Sequence, residues 1–178
     1  MSIIKFEKKP ISNTYLTIAL LGTSYKLNIK YTASNSINLV KKDGSFELIL
    51  PKKYKNTDNI DIVNQAIQKL YTEIAPKELE NSLELVRHIV KFAPEDYKIQ
   101  RMENSFYKIL KNKVLVINPD IIQYNREIIN TTLIQAFCKT YFKTNTKIYK
   151  ETLKSALQSY ENYKIARNDN NNRIYMIG

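Results

Sequence analysis

The pattern of apolar and polar positions divides the chain into a first part with strand periodicity and a longer part with helical periodicity. Lys26-Leu27-Asn28-Ile29-Lys30 alternates polar and apolar side chains, as a strand with one buried face does. Asp43-Gly44 lies between two other apolar runs, and this dipeptide favours a tight hairpin turn. We therefore predict that residues 1–57 form a meander of antiparallel strands. The predicted strands are Tyr15–Leu21, Tyr25–Tyr31, Ser36–Lys41 and Ser45–Leu50.

Helical periodicity begins after Asp58, which we predict to be the N-cap of the first helix. Apolar residues recur every three or four positions as far as Ile74, and again from Leu79 to Val90. Pro76 lies between the two stretches. Because the residue before a proline avoids helical geometry, the pattern predicts two helices here rather than one.

The remainder of the chain adds a short sheet and two more helices. Strands are predicted at Tyr97–Met102 and Lys113–Ile117. A helix at Arg126–Phe142 is apolar on nearly all sides, which indicates a position in the middle of the domain. A last helix runs from Thr146 to about Arg167. The pattern therefore predicts one α+β domain over residues 1–178, with strands in 1–57, a helical core in 58–167 and a loose tail in 168–178.

Composition excludes several classes of protein. The single cysteine cannot form an intramolecular disulfide, which favours a reducing, cytoplasmic location. No apolar run is long enough to cross a bilayer, so we expect no membrane partner. Three glycines cannot build the phosphate-binding loop of a nucleotide fold. One histidine (His88) and one cysteine (Cys138), both in helical patterns, cannot supply the three or four ligands of a zinc site.

A net charge of +11 points to a polyanionic partner, either nucleic acid or an acidic protein. Residues 1–57 contain ten basic and three acidic residues, and residues 126–178 contain nine and four. Lysines neutralise phosphates and tyrosines stack on bases, which makes two groups of residues candidates for anion binding. These are Lys52, Lys53, Tyr54 and Lys55 after the last N-terminal strand, and Lys143, Lys147, Lys150 and Lys154 along the last helix. A solvated, lysine-rich surface explains the charge equally well, since only five of the 28 basic residues are arginine.

The order of several short motifs resembles the YgjP-like family, which consists of zinc-metallopeptidase-type proteins related to the WLM and SprT-like families. Leu20–Ile29 is similar to the family's YLGxxYxLxV element, and Leu50-Pro51 to the Leu-Pro that ends a later strand. Leu70–Ala75 corresponds to the family's WYRxxA helix and Met102 to a Met of the family. Phe106 corresponds to the Trp of a Trp-Gly-Ser-Cys turn, and Val114–Asn118 to a strand that ends in Asn. The similarity covers about residues 15–155.

This resemblance implies a zincin-like fold and places the family's HExxH motif on Gln135–Lys139. In an intact motif, two histidines one helical turn apart bind zinc and the glutamate polarises the bound water. Gln135 and Lys139 occupy the histidine positions, and Ala136 occupies that of the glutamate. The third histidine of the family corresponds to Asn145. The resemblance therefore implies a fold without zinc chemistry, and we expect no cofactor.

The sequence favours a non-catalytic binding or regulatory protein with an acidic macromolecular partner. Nucleic acid, or a protein that processes it, fits this description, as would an inhibitor encoded by a phage or mobile element. Lys139, Gln135 and Thr132 form a small anion-holding cluster in one interpretation, and in the other Lys139 extends to solvent. Two alternatives stay open. One is a hydrolase with a relocated active site, and the other is a structural subunit that associates through Ile174–Ile177. The oligomeric state is not predicted.

Overall fold

The computed structural model describes residues 16–175, with side chains as far as residue 167. The first sheet contains β1 (Thr17–Leu20), β2 (Thr23–Thr32), β3 (Asn38–Lys42) and β4 (Ser45–Pro51). A 3-10 turn at Lys52–Tyr54 leads into helix α1 (Ile60–Val90). The second sheet contains β5 (Asp96–Ile99), β6 (Tyr107–Ile109) and β7 (Val114–Ile117). After a 3-10 turn at Pro119–Gln123 come α2 (Arg126–Tyr141) and α3 (Lys147–Tyr175). The α+β class is confirmed.

The first sheet has the strand order β1-β2-β4-β3, and β2 pairs with β4 in parallel. The predicted N-terminal meander of strands is confirmed, with antiparallel pairs β1–β2 and β3–β4 and the Asp43-Gly44 hairpin, in which Lys42 lies opposite Ser45. The parallel pairing of β2 with β4 was not predicted. Burial explains the order. β4 buries Phe46, Leu48 and Leu50 almost completely, whereas β3 is mostly exposed and carries two lysines. The apolar strand takes an interior position and the charged strand the edge, as edge strands usually do.

Helix α1 passes through Pro76 without ending, so the prediction of two helices is wrong. Proline inside a helix removes one hydrogen bond and costs about 3 kcal/mol. Here Pro76 and Thr72, whose carbonyl loses its donor, are both exposed, so water can take the place of the missing donor. On the opposite side, Ala75 and Leu79 are completely buried on either side of the proline. Burial of that continuous apolar face outweighs the local cost of the proline. The helix starts at Ile60 with Asn59 as the N-cap, and Asp58 accepts a hydrogen bond from the Ile60 amide at 3.1 Å.

Helix α2 lies in the centre of the fold, as its apolar sequence predicts. Ile129, Leu133 and Phe137 are buried within a core cluster that draws on both sheets and all three helices. The Asn125 side chain caps the helix by accepting a hydrogen bond from the Ile128 amide at 2.9 Å. Leu21, in the turn between β1 and β2, donates its amide to the Ile122 carbonyl at 2.7 Å. The first hairpin is therefore attached to the residues that lead into α2.

Two other parts of the pattern differ from the structure. Strand β6 was not predicted, because its three residues are too few to show a period. Helix α3 continues to Tyr175, so the prediction of a loose tail is wrong for residues 168–175. Adding a residue to an existing helix is cheap, and asparagine is only mildly unfavourable there. The apolar residues proposed for association, Ile174–Ile177, extend beyond the described residues. Among the helices of the described chain, none is long and apolar enough to cross a membrane.

We expect Gly22→Ala to destabilise the protein more than Gly44→Ala. Both glycines have positive φ angles, +82° and +71°, which cost an alanine roughly 1–2 kcal/mol. A Cβ at position 22 would also lie 2.7 Å from the Cβ of Asn125, whereas nothing lies within 4 Å of one at position 44. Urea unfolding of the two variants isolates the cost of this contact. Equal losses would contradict close packing between the first turn and the start of α2.

Candidate functional site

The positions that the resemblance assigns to metal binding lie on α2 and just after it. Gln135 is half-buried, and Lys139, one turn later, is exposed. Ala136 is fully buried and presents only a methyl group to the core. Asn145 is exposed in the connection between α2 and α3. The chain therefore offers two amides and an ammonium group here, which do not fit a zinc ion that needs imidazole, thiolate or carboxylate ligands.

Aromatic side chains occupy the space beside Lys139. Its ammonium lies 5.2 Å from the ring centroid of Tyr107 on β6, in a cation–π contact. Burial raises the pKa of Tyr107 to about 12, and its buried hydroxyl has no hydrogen-bond partner among the described residues. Burial also raises the pKa of Tyr149 on α3, while the charge of nearby Lys139 opposes this shift. Within residues 16–167, no hydrogen bond joins Lys139 to Gln135, and the exposed Lys139 ammonium contacts the Tyr107 ring.

The cysteine and the histidine do not replace the missing ligands. Cys138 is fully buried, as predicted, and burial raises the pKa of its thiol to about 11, which keeps it protonated and a poor ligand. His88 is exposed on α1. The neighbouring Arg87 donates a hydrogen bond to the Glu84 carboxylate at 2.9 Å. Within the described part of the chain, no three His, Cys, Asp or Glu residues are close enough to hold a metal ion.

Comparison with protein-family models identifies the family to which this domain belongs. A model of the YgjP-like, metallopeptidase domain matches residues 4–164. The chain belongs to the YgjP-like family. No curated protein and no solved structure matches it. At the positions that the resemblance assigns to the metal, this YgjP-like protein carries Gln135, Lys139 and Asn145.

The two predicted anion-binding groups lie on different secondary-structure elements of this YgjP-like protein. Lys52–Tyr54 form the 3-10 turn after β4, which contacts β2, and the Lys53 ammonium lies 5.0 Å from the ring of Tyr54. The second group lies on α3 and just before it, and α3 packs on α2. Its four lysines are exposed, and Lys147 forms an ion pair with Glu151 at 3.7 Å. The lysines of both groups are exposed.

A third basic group lies on the outer face of the first sheet. Residues opposite one another in the register share a face, so Lys26 and Lys42 flank Ser45 on the side away from buried Leu27 and Phe46. Lys30 lies on the same face two rows further along. We call Lys26, Lys30 and Lys42 the lysine face. The alternation of β2 predicts that Lys26 and Lys30 point the same way, but the addition of Lys42 depends on the strand order, which the sequence did not predict.

Glu47 is the acidic residue at the centre of the lysine face. Its carboxylate is 2.6 Å from the Lys30 ammonium and 3.1 Å from that of Lys42. Hydrogen bonds from Lys30 and then Lys42 lower the pKa of Glu47, so the group stays ionised. One carboxylate thus holds two ammonium groups at fixed positions on the sheet, and the face keeps a net positive charge.

We expect Tyr107→Phe to leave stability unchanged or raise it, because the change removes a buried hydroxyl that has no partner. The matched control is Tyr71→Phe, since the Tyr71 hydroxyl donates to the Ala19 carbonyl at 2.6 Å. Losing that bond should cost about 1 kcal/mol. Thermal unfolding of both variants provides the comparison. A Tyr107→Phe variant that loses as much stability as Tyr71→Phe would show that the Tyr107 hydroxyl has a partner after all.

Proposed function

We propose that this YgjP-like protein is a non-catalytic binding or regulatory protein whose partner is nucleic acid. The observation that carries the proposal is the replacement of every metal-binding position of the family motif. Gln135 and Asn145 are neutral amides, and Lys139 would place an ammonium group where the family binds its metal cation. Since Ala136 cannot act as a general base, neither the metal nor the proton acceptor of the family's chemistry has a side chain to support it.

A relocated hydrolytic site finds little support in the titratable groups. A catalytic acid or base usually shows a perturbed pKa in an open cleft. The groups whose pKa is raised by burial are the Cys138 thiol and several tyrosines such as Tyr71 and Tyr107, which stay protonated and unreactive. One described carboxylate, that of Glu47, has a lowered pKa, and its two lysine partners account for the shift.

The charge distribution supports binding of a polyanion. The lysine face is part of a sheet, so its ammonium groups are spaced by the regular strand geometry and held on a rigid support. Lys52 and Lys53 follow directly after β4 and extend the positive charge beyond the end of the strand. Lysine contacts to phosphates release counterions without reading base sequence. This arrangement therefore favours binding of nucleic acid without strong sequence preference.

We expect the purified protein to contain less than stoichiometric zinc, as measured by elemental analysis after dialysis against zinc-containing buffer. The triple variant Gln135→His/Lys139→His/Asn145→His should gain a zinc ion, because it restores the family's three imidazoles on the same backbone. A control that carries the third histidine at Thr144 instead should bind zinc more weakly. One zinc per molecule in the unmodified protein would overturn the non-catalytic proposal. A triple variant that binds no zinc would contradict the placement of the motif.

We expect affinity for single-stranded and duplex nucleic acid to fall steeply with salt. In Lys26→Gln/Lys52→Gln, the slope of log affinity against log salt should decrease in magnitude by about 1–2, since each phosphate contact contributes close to one unit. The matched control is Lys150→Gln/Lys154→Gln, which removes the same charge from α3. Fluorescence anisotropy over a salt series measures both. Equal effects would assign the binding to net charge alone, and no binding at low salt would contradict a nucleic-acid partner.

A further inference from the structure

Strand β3 forms one edge of the first sheet. The strand order β1-β2-β4-β3 places β4 on one side of β3, and no other described strand pairs with it. The connection before β3 and the turn after it both belong to the described chain, so the strand is complete at each end. Its outer side therefore presents a row of N–H and C=O groups, which is the usual template for the addition of another strand.

The register with β4 shows which backbone groups of β3 point outward. Lys42 lies opposite Ser45 across a two-residue turn, so this last pair is hydrogen-bonded. Bonded and non-bonded pairs alternate along an antiparallel ladder, so Val40 also bonds to β4, whereas Leu39 and Lys41 direct their N–H and C=O groups away from it. Among the described residues, neither of these two amides has a hydrogen-bond partner.

An apolar groove lies along this edge, between β3 and helix α1. It is a cavity of about 480 Å³, with Leu39 and Val40 of β3 in one wall and Ala66 and Leu70 of α1 in another. Ile37, just before β3, also lines it. Ile37 and Val40 are 41% and 44% exposed, although both are apolar. Exposed apolar side chains beside an apolar groove form a patch that a partner can cover.

The charges at this edge favour an acidic occupant. The Lys41 ammonium lies 5.1 Å from the ring centroid of Tyr25 and makes no ion pair within the described chain. Lys69, in the wall of the groove, is paired with Glu73 at 3.8 Å, so these two add no net charge. A second copy of this edge would bring four lysines into one short ladder, and like charges across strands are destabilising.

We propose that β3 and the groove bind an extended, acidic peptide segment of another protein as a fifth strand of the first sheet. The segment runs antiparallel to β3, the direction that is roughly two to three times more common. It carries a carboxylate opposite Lys41 and an apolar side chain opposite Leu39. Because Leu39 and Lys41 lie opposite buried Leu48 and Phe46, both peptide side chains lie on the α1 side, where the apolar one enters the groove.

This site is separate from the lysine face and does not depend on the proposed binding of nucleic acid. Lys26, Lys30 and Lys42 lie on the opposite side of the sheet from Leu39 and Lys41. The edge of β3 alternates donors and acceptors at the spacing of a strand, and a peptide backbone supplies the complementary pattern. A phosphodiester backbone has no amide donors to offer the outward C=O groups.

Amide hydrogen exchange on the full-length protein tests the proposal. The probe is the peptide acetyl-Thr-Glu-Thr-Val-Thr-Val-Thr-amide, whose Glu and first Val are spaced to lie opposite Lys41 and Leu39. With peptide at about ten times its dissociation constant, these two amides should exchange about tenfold more slowly, because only the free fraction exchanges. The amides of Val40 and Lys42, already bonded to β4, are the internal control and should change little.

An exchange of charges tests the contact with Lys41. Lys41→Glu should weaken binding of this peptide, and strengthen binding of the same peptide with Lys in place of Glu, by up to about fivefold each. The matched control is Lys111→Glu, which changes the net charge equally at an exposed position in the turn between β6 and β7 and should alter neither affinity. Fluorescence anisotropy measures the affinities, and circular dichroism checks that each variant is folded.

Several results would overturn the proposal. One is no binding at peptide concentrations up to about 1 mM. Another is binding that leaves exchange at Leu39 and Lys41 unchanged. Protection of these amides without peptide would also contradict it: the chain itself would cover the edge if protection were independent of protein concentration, and a second copy would if it increased. Equal effects of Lys41→Glu and Lys111→Glu would assign binding to net charge and refute the register.

Discussion

The burial of helix α2 on almost all sides is the constraint on which the rest of the structure depends. Its residues Ile129, Leu133, Ile134 and Phe137 are within a core to which both sheets, α1 and α3 contribute. Each fully buried side chain of this size contributes about 1.5–3 kcal/mol relative to an exposed one. The stability of this domain therefore comes from apolar contacts around α2. These contacts hold α2 between the two sheets and the other two helices.

Polar contacts fix how the surrounding elements meet α2. Arg126, at the start of α2, donates hydrogen bonds to the Glu78 carboxylate and carbonyl on α1. At the next residue of α2, the Glu127 carboxylate lies 2.9 Å from the Lys164 ammonium on α3. Glu78 and Glu127 are thus each engaged in a tie between two helices. The lysines that exceed the acidic residues in number remain at the surface, which is how an ordinary amount of charge produces a strongly basic exterior.

The sequence predicted the parts of this fold in which one local signal dominates. The alternation in β2, the Asp43-Gly44 turn and the apolar α2 were all readable from a few neighbouring residues. The strand order was not, because β4 takes its place beside β2 through contacts between residues about 19 positions apart, such as Leu27 and Phe46. Pro76 shows the same limit. A local rule predicts a break there, and burial of Ala75 and Leu79 against the rest of the protein decides otherwise.

The candidate site could be predicted only in part for the same reason. Gln135, Ala136 and Lys139 are read directly from the sequence once the motif is aligned, and their chemistry argues against zinc wherever the side chains point. Tyr107 could not be found this way, since it reaches Lys139 from β6, about 30 residues earlier in the chain.

This contact also gives a physical reason why a lysine is accommodated at position 139. The ring of Tyr107 presents its negative face to the ammonium, which remains hydrated on its exposed side. An unpaired carboxylate at position 139 would instead face the same negative ring face and be repelled by it. An ammonium is thus the charged group that this neighbour stabilises, and it is also the group that most strongly repels a metal cation.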